Sequence, residues 1–180
     1  IDEYNFNKGY TLFSAKKYKQ AKQYLEKVKQ NKVYESDAHY YLGHIAYQLE
    51  DFDEATSQFS NISNKAQKEN LYYFQADMNF RLGRFEKAIT LGRSIFENNT
   101  SGEVSEISKI IGESYFNLNS FVQAIPYLEI YKGKKGTWEN TDFYQLGFAY
   151  YKNSDYDKAI DQFNKIISKK NSLAQNANYY

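Results

Sequence analysis

The stretch YYLGHIAYQLEDFDEATSQF, residues 40–59, is nearly repeated as FYQLGFAYYKNSDYDKAIDQF at residues 143–163. Each stretch opens with aromatic residues and a Leu-Gly pair, passes through a short polar break, and ends in a second run that contains alanine and phenylalanine. Self-similarity of this kind is the sequence signature of a repeat architecture. The rest of the chain aligns on the same pattern.

Five copies of the pattern share one register. A small residue opens each copy, at Gly9, Gly43, Ala76, Gly112 and Gly147. An aromatic residue follows nine positions later, at Tyr18, Phe52, Phe85, Phe121 and Tyr156. An alanine comes three positions after that, at Ala21, Ala55, Ala88, Ala124 and Ala159. The alanines are 34, 33, 36 and 35 residues apart, so the spacing within a copy is constant and the extra length falls between copies.

Each copy predicts two helices. In LGHIAYQL and ATSQFSNI the apolar residues recur at steps of three and four, which is the helical period. Polar pairs separate the two runs, and we expect these residues to cap the second helix: Glu50 with Asp51, Asn119 with Ser120, and Ser154 with Asp155. The small residue and the alanine are expected where the two helices cross closely, because a larger side chain would force the helices apart.

This pattern is similar to the tetratricopeptide repeat (TPR), a helix–turn–helix unit of 34 residues. The hallmarks in the second copy are Leu42, Gly43, Phe52, Ala55 and Phe59, and those in the fifth are Leu146, Gly147, Tyr150, Tyr156, Ala159 and Phe163. The resemblance implies an all-α fold, a right-handed α-solenoid of antiparallel helix pairs that forms a single domain over residues 1–180. The expected repeats cover about residues 2–35, 36–68, 69–104, 105–139 and 140–171, and residues 172–180 begin a sixth.

Some positions depart from the family pattern. The third copy has Gln75 and Ala76 for Leu-Gly and Gly92 for a later aromatic, so we expect it to pack more loosely. The chain's one proline, Pro126, falls inside the second helix of copy four and should bend it. In the first copy Asn5 and Lys8 stand where other copies are mostly apolar, which indicates a partly polar outer face.

The other end of the chain differs. The pattern stops where the Leu-Gly of a sixth unit would follow, so we expect the sequence to be a piece of a longer repeat protein. Phe163 and Ile166 would then lack their next neighbour. That open end is a candidate for self-association.

Composition restricts the classes of partner. The formal net charge of +1 over 180 residues provides no global attraction to nucleic acid or to an anionic membrane. No apolar run approaches the roughly 18 residues that a membrane span needs, so direct membrane insertion is not expected. Abundant Lys, Asn, Ile and Tyr indicate a gene of low GC content, which favours a bacterial source. We favour a soluble protein of the cell envelope or periplasm, with the compartment left open.

The residues that enzymes use are scarce. The chain has no cysteine, and its two histidines, His39 and His44, are five apart, whereas a helical metal pair would be four apart. Both histidines are expected to be structural or surface residues, so no other histidine is available for a Ser-His-Asp triad. Gly133 and Gly136 do not form a phosphate-binding loop between a strand and a helix. We therefore expect no catalysis, no metal and no cofactor.

What the TPR resemblance implies instead is binding, because the first helix of each unit lines the concave groove in that family. The positions that would face the groove are mainly aromatic: Phe6, Tyr10, Phe13, Tyr40, Tyr41, His44, Tyr47, Tyr73, Phe74, Asp77, Phe80, Lys109, Glu113, Phe116, Tyr144, Phe148 and Tyr151. Aromatic side chains provide a large contact area at low entropic cost, which suits an extended peptide or a partner helix. They also pack against neighbouring helices, so core packing remains the competing interpretation. If the groove is open, Tyr40, Tyr47, Tyr73 and Tyr144 should be partly exposed, whereas Phe52, Phe59 and Phe163 should be buried.

One known binding mode is excluded by the residue types. Family members that hold the C-terminal carboxylates of chaperones use a Lys/Asn/Asn/Lys/Arg set, and the matching positions here are Phe6, Tyr10, Tyr41, Asn70 and Phe74. The leading hypothesis is a non-catalytic scaffold for a protein or peptide. The alternatives are a sensor or regulatory segment of a larger protein, with a kinase or DNA-binding domain outside this sequence, and a self-associating structural array.

Overall fold

A computed structural model of the chain describes residues 1–98 and 104–166. Within them the structure has ten α-helices and no strand. The expected sixth repeat, residues 172–180, lies outside the described residues. The helices are α1 (Asp2–Ser14), α2 (Tyr18–Leu25), α3 (Glu35–Gln48), α4 (Phe52–Ser60), α5 (Lys65–Arg81), α6 (Phe85–Asn98), α7 (Val104–Asn117), α8 (Phe121–Ile130), α9 (Asn140–Lys152) and α10 (Tyr156–Asn164).

The chain forms two compact units, Ile1–Met78 and Asn79–Tyr180, which are described separately. In the first unit α1 packs on α2, α3 packs on α4, and α2 contacts α3. In the second unit α7 packs on α8 and α9 on α10, while α6 contacts α7 and α8 contacts α9. Helix pairs joined by short turns are therefore the building block of both units, as the sequence predicts.

The small residues mark the places where paired helices touch. A Cβ atom on Gly9 would lie 2.7 Å from Cγ of Leu25, and one on Gly112 would lie 2.8 Å from Cδ2 of Leu128. Both distances are shorter than any relaxed carbon–carbon contact. The same relation holds for Gly43 with the ring of Phe59 and for Gly147 with the ring of Phe163. The predicted close helix crossing is confirmed at these four glycines.

The repeated alanines are core residues in every copy. All five are buried, with exposed fractions of 0 to 2%. Leu25, Phe59, Leu128 and Phe163 are buried beside them on the second helices. An alanine at this position lets the second helix approach its neighbours closely, which explains why a small apolar residue recurs there.

The departures in copies three and four have different outcomes. Gly92 is buried, and a Cβ on it would lie 2.7 Å from Cγ1 of Ile111, so α7 packs directly on the α6 backbone. The expectation of looser packing at Gly92 is therefore wrong, because an isoleucine of the next helix occupies the space that an aromatic side chain would fill. Pro126 lies inside α8 as predicted.

Five turns share one backbone conformation. The residue five positions before each repeated alanine has a positive φ, between 57° and 71°: Lys16 (57°), Glu50 (60°), Gly83 (71°), Asn119 (58°) and Ser154 (62°). In the second copy the N–H of Glu50 donates to the carbonyl of Tyr47 at 3.0 Å, and that of Asp51 donates to Ala46 at 2.9 Å. The same two bonds recur in the other four turns. These bonds define a Schellman motif, which ends the first helix of every copy.

Capping of the second helices is less uniform than predicted. The side chain of Asp51 accepts a hydrogen bond from the N–H of Glu54 at 3.2 Å, so the cap on α4 is confirmed. The side chains of Ser120 and Asp155 accept no such bond at the starts of α8 and α10. The prediction is wrong at those two positions, where the Schellman backbone bonds define the turn.

The expectation for the start of the stack is wrong at Asn5, which is buried, whereas Lys8 is exposed as expected. At the other end Phe163 and Ile166 are buried, with exposed fractions of 3% and 0%, so neither residue leaves apolar surface uncovered. The exposed apolar side chains near that end are instead Tyr156 and Ile160 on α10, at 56% and 53%.

Candidate partner-binding surface

Nine of the predicted groove residues form a continuous set of contacts between aromatic rings in the first unit. They lie on α1, α3 and α5, the first helices of copies one to three, and are called the unit-1 array: Phe6, Tyr10, Phe13, Tyr40, Tyr41, His44, Tyr47, Tyr73 and Phe74. Every member has a ring centroid within 6.5 Å of another member. The structure thus brings together side chains that are up to 68 positions apart in the sequence.

Tyr41 lies at the centre of the array's N-terminal half. Its ring centroid is 5.1 Å from that of Phe13, 5.3 Å from Tyr10 and 5.4 Å from Tyr40. Phe6 is 6.2 Å away. Burial raises the pKa of Tyr41, and the nearby Tyr10 and Asp37 add to that shift, so its phenol stays protonated at neutral pH. This part of the array is a neutral aromatic surface.

His44 is the buried member of the unit-1 array. It is only 8% exposed, and its ring is 4.4 Å from Tyr40, 4.5 Å from Phe74 and 5.3 Å from Phe59. Its Nε2 atom is buried and makes no hydrogen bond. Burial lowers the pKa of His44 to about 4, so the ring is neutral at physiological pH. The neighbouring Tyr40, Tyr41 and Tyr47 are only half-buried and are more accessible than His44.

A hydrogen bond ties the second and third copies together at the edge of the array. The hydroxyl of Tyr47 on α3 donates to Oδ2 of Asp77 on α5 at 2.6 Å. Both side chains are half-buried. This bond holds Tyr47 in one orientation, which a preformed binding surface requires.

The burial of the aromatic side chains only partly distinguishes an open binding groove from core packing. The tyrosines expected to be partly exposed are half-buried: Tyr40, Tyr47, Tyr73 and Tyr144. Phe59 and Phe163 are buried, as expected. Phe52 was also expected to be buried and is half-buried, so that prediction is wrong. The tyrosines therefore share the intermediate burial of Phe52 and pack on the core with one side.

A smaller aromatic cluster occupies the second unit. Phe148 lies at its centre, with ring centroids of Phe116 at 5.8 Å, Tyr144 at 5.9 Å and Tyr151 at 6.3 Å. These four predicted groove residues are called the unit-2 array. The remaining predicted aromatic, Phe80, packs on Phe85 at 5.8 Å in the turn of copy three.

The predicted charged residues of the second unit form an ion-pair network. Lys109 donates to Oδ1 of Asp142 at 2.9 Å and lies 3.9 Å from Oε1 of Glu113. Asp142 is almost fully buried, and its other oxygen accepts from the N–H of Glu139 at 2.8 Å. Lys109 is therefore engaged inside the protein and joins α7 to the start of α9. Burial raises the pKa of Glu113.

Asp142 was missed by the sequence reasoning. Its capping-box relation to Glu139 at a spacing of three is the signal that would have placed it at a helix start. Its bond to Lys109, 33 positions away, has no sequence signal at all. Among the described residues, no group of three or more His, Asp or Glu side chains is arranged to hold a metal ion.

Comparison with known proteins identifies the repeat. Two family models, both described as tetratricopeptide repeat, match residues 2–31 and 143–172. The chain contains tetratricopeptide repeats. The two TPR matches fall on the first and fifth copies of the pattern, at the two ends of the five-copy register. Among curated proteins, none matches the chain.

Solved structures of TPR proteins share the fold over nearly the whole chain. MamA AMB-1 has a TM-score of 0.76 at 18% identity, covering 97% of this chain and 96% of its own. YrrB, described as a TPR protein with an unusual peptide-binding site, has a TM-score of 0.74 at 19% identity, covering 98% and 91%. The C-terminal part of a TPR repeat-containing protein from Cytophaga hutchinsonii has 0.70 at 24%, covering 92% and 64%. The all-α TPR solenoid fold class is confirmed.

The TPR fold is typically a non-catalytic scaffold for protein interactions. In the part of the chain that the structure describes, no helix is long and apolar enough to cross a membrane.

Proposed function

We propose that this chain is a non-catalytic scaffold that binds an extended peptide or a partner protein on the unit-1 array. The observation that carries the proposal is the continuity of the array across three successive first helices, α1, α3 and α5. A partner lying across these helices would meet aromatic side chains at each step. YrrB, which has the same fold, is described as having a peptide-binding site.

The physical properties of the array support this use. Aromatic rings offer large contact areas, and their few rotatable bonds limit the entropy lost on binding. Half-burial in the core orders these rings before a partner arrives. Tyr10 remains 46% exposed at the α1 edge and provides direct access from solvent. Anchors of this type commonly contribute about 2 kcal/mol or more each to binding.

A selection experiment tests the proposal without a known partner. Random dodecapeptides displayed on phage are selected on the immobilised chain, and enriched peptides are measured by fluorescence anisotropy. We expect enriched peptides to bind at least tenfold more weakly to Tyr10→Ala, because the truncation removes an exposed anchor. Val33→Ala is the matched control, since Val33 is 76% exposed and lies outside the array.

Two outcomes would reject the proposal. One is a selection that enriches no peptide sequence. The other is a set of peptides whose affinity is unchanged by Tyr10→Ala and by Tyr40→Ala, both shown to be folded by circular dichroism.

A second candidate function is self-association, favoured by the exposed apolar side chains of α10. Tyr156 and Ile160 lie one turn apart, and each is more than half exposed. Light scattering across a hundredfold range of concentration tests this candidate. We expect an increase in mass with concentration that Ile160→Lys abolishes; a constant monomer mass would reject it.

A further inference from the structure

The unit-2 array is partly covered by a cation of its own chain. The ammonium of Lys152 lies 5.2 Å from the ring centroid of Phe148 and 5.8 Å from that of Tyr151. Distances below about 6 Å over a ring face are typical of cation–π contacts. The repeat itself therefore shows that a first-helix aromatic surface accepts an ammonium group.

The corresponding position in the first unit is uncharged. In the repeat register Phe148, Tyr151 and Lys152 of copy five correspond to His44, Tyr47 and Gln48 of copy two. Gln48 has no charge, and His44 is neutral at physiological pH.

The tyrosines in the N-terminal half of the unit-1 array differ from Phe148 and Tyr151 in this respect. In the described residues, no lysine or arginine lies over Tyr10, Tyr40 or Tyr41, whereas lysines do lie over Tyr24, Tyr131 and Tyr150 elsewhere in the chain. A cation from outside the chain would thus meet rings that hold no competing charge.

The charges on the helices that carry these tyrosines are mainly negative. α1 and α3 together contain four acidic residues, Asp2, Glu3, Glu35 and Asp37, and a single lysine, Lys8. The other lysines of the first copy lie on α2 and in the segments that flank it. Asp37 is one helical turn before Tyr41, close enough for its charge to act on the Tyr41 phenol. The charge of Asp37 therefore favours a cation over an anion beside Tyr41.

The ring geometry suits the same ligand. The rings of Tyr10 and Tyr41 are inclined by 57°, and those of Tyr40 and Tyr41 by 85°. Rings at large angles form a corner, so a cation near that corner contacts more than one of them. Tyr10 is 46% exposed, which leaves the corner open to solvent on the α1 side.

We propose that Tyr10, Tyr40 and Tyr41 form a site for a cationic side chain, lysine or arginine, of the bound peptide. The site deepens the proposed function and rests on it, since it assigns the chemistry of one residue in the partner. Asp37 contributes its charge, and the tyrosines contribute their ring faces.

The experiment uses the peptides enriched by phage selection on the full chain. Each enriched peptide is synthesised with its arginine and with citrulline, which has nearly the same shape but no charge. Affinities are measured at 50 and 300 mM salt for the wild-type chain, Tyr10→Phe and Tyr10→Leu. We expect citrulline to weaken wild-type binding by about 2- to 30-fold, the range that cation–π energies imply.

The Tyr10 variants test whether the preference for arginine over citrulline comes from the proposed tyrosine site. Tyr10→Phe keeps the ring and should keep the arginine-to-citrulline ratio, whereas Tyr10→Leu keeps apolar area but should reduce the ratio at least twofold. Tyr41→Leu, checked for folding by its melting temperature, provides a second measurement if Tyr10 contributes weakly.

The outcomes separate this inference from the proposed function. Peptides that bind the array with no enrichment of Lys or Arg, or with equal affinity for arginine and citrulline, overturn the cationic site and leave the scaffold function intact. An arginine preference that survives both Tyr10→Leu and Tyr41→Leu also overturns it. A selection that yields no peptide rejects the proposed function and this inference with it.

Discussion

Replacing His44 with phenylalanine should remove a pH dependence of stability from this protein. The ring is 8% exposed, is surrounded by Phe13, Tyr40, Phe59 and Phe74, and has an unbonded Nε2. Burial lowers the pKa of His44 from 6.5 to about 4. Phenylalanine stands at the corresponding position of copy five, Phe148, so the repeat accommodates it.

The sign follows from proton binding. Between pH 6.5 and about 4 the unfolded chain binds a proton at His44 and the folded chain does not, so protonation favours unfolding. The folded state is therefore fully stable above pH 6.5 and loses stability as the pH falls. From pH 7.5 to pH 5 the loss due to this one group is about 2 kcal/mol, on the scale of 1.36 kcal/mol for each unit of pKa difference.

Urea unfolding at pH 7.5 and pH 5 measures the effect. The wild-type chain should lose about 2 kcal/mol more than His44→Phe over that interval, while the carboxylate contributions common to both proteins cancel. His39→Gln is the control, because His39 is half-buried and bonds to Oε1 of Gln58 at 2.6 Å. If the His44→Phe and wild-type curves fall in parallel, or if NMR titration places the pKa of His44 near 6.5, the assignment of a neutral, desolvated His44 is wrong.

Three further predictions concern stability. Gly83→Ala should lower the free energy of unfolding by about 1 kcal/mol because φ at Gly83 is +71°; no atom lies near the new Cβ, so the cost comes from the backbone conformation and not from a clash. Glu50→Gly should raise the free energy of unfolding by about 0.5 kcal/mol, because glycine relieves the strain at a positive φ. Denaturant melts in which both changes have the same sign would contradict the assignment of strained turns. Ala55→Leu and Ala159→Leu should each lower the free energy of unfolding by about 1–3 kcal/mol through overpacking, whereas Lys134→Ala, at an exposed position, should change it very little. Equal effects of the three changes in denaturant melts would show that the repeat alignment is wrong. Asp142→Ala should cost about 2 kcal/mol, since it removes two hydrogen bonds and leaves Lys109 without its nearest partner, while Asp157→Ala, an exposed acid at the start of α10, should cost less than 0.5 kcal/mol; similar melts for the two variants would refute the role of Asp142.

The helix pairs and their close contacts could be predicted because their determinants are local and repeated. A glycine such as Gly43 and an alanine such as Ala55 stand at constant spacing, and each copy supplies independent support for the same register. The left-handed turn residues were not predicted. Only Gly83 of the five is a glycine, and Lys16 or Glu50 has no special preference for positive φ. Their conformation is imposed by the helix ending, which the residue types do not reveal.

For the candidate site, the sequence predicts which helix face each residue lies on, but not how deeply its side chain is buried. Helical periodicity places His44 on the same face as Tyr40 and Tyr47, and that much is confirmed by their ring contacts. Its burial depends on Phe59 and Phe74, which come from two other helices. Likewise Lys109 was expected to face a partner, and instead it bonds to Asp142. Contacts between copies decide which polar groups remain accessible, and such contacts have no fixed spacing in the sequence.

Half-burial of the tyrosines serves packing and binding at once. A ring fully exposed on a helix would be mobile and would lose rotational freedom when a partner bound, at a cost of about 0.5–1.5 kcal/mol. A ring fully buried would offer no contact. Tyr41, held among Phe13, Tyr10 and Tyr40, has already lost most of its freedom in the free protein. The same contacts that stabilise the first two copies therefore lower the entropic cost of binding, and a Tyr41→Ala variant should lose both folding stability and partner affinity, whereas Tyr10→Ala should lose affinity alone.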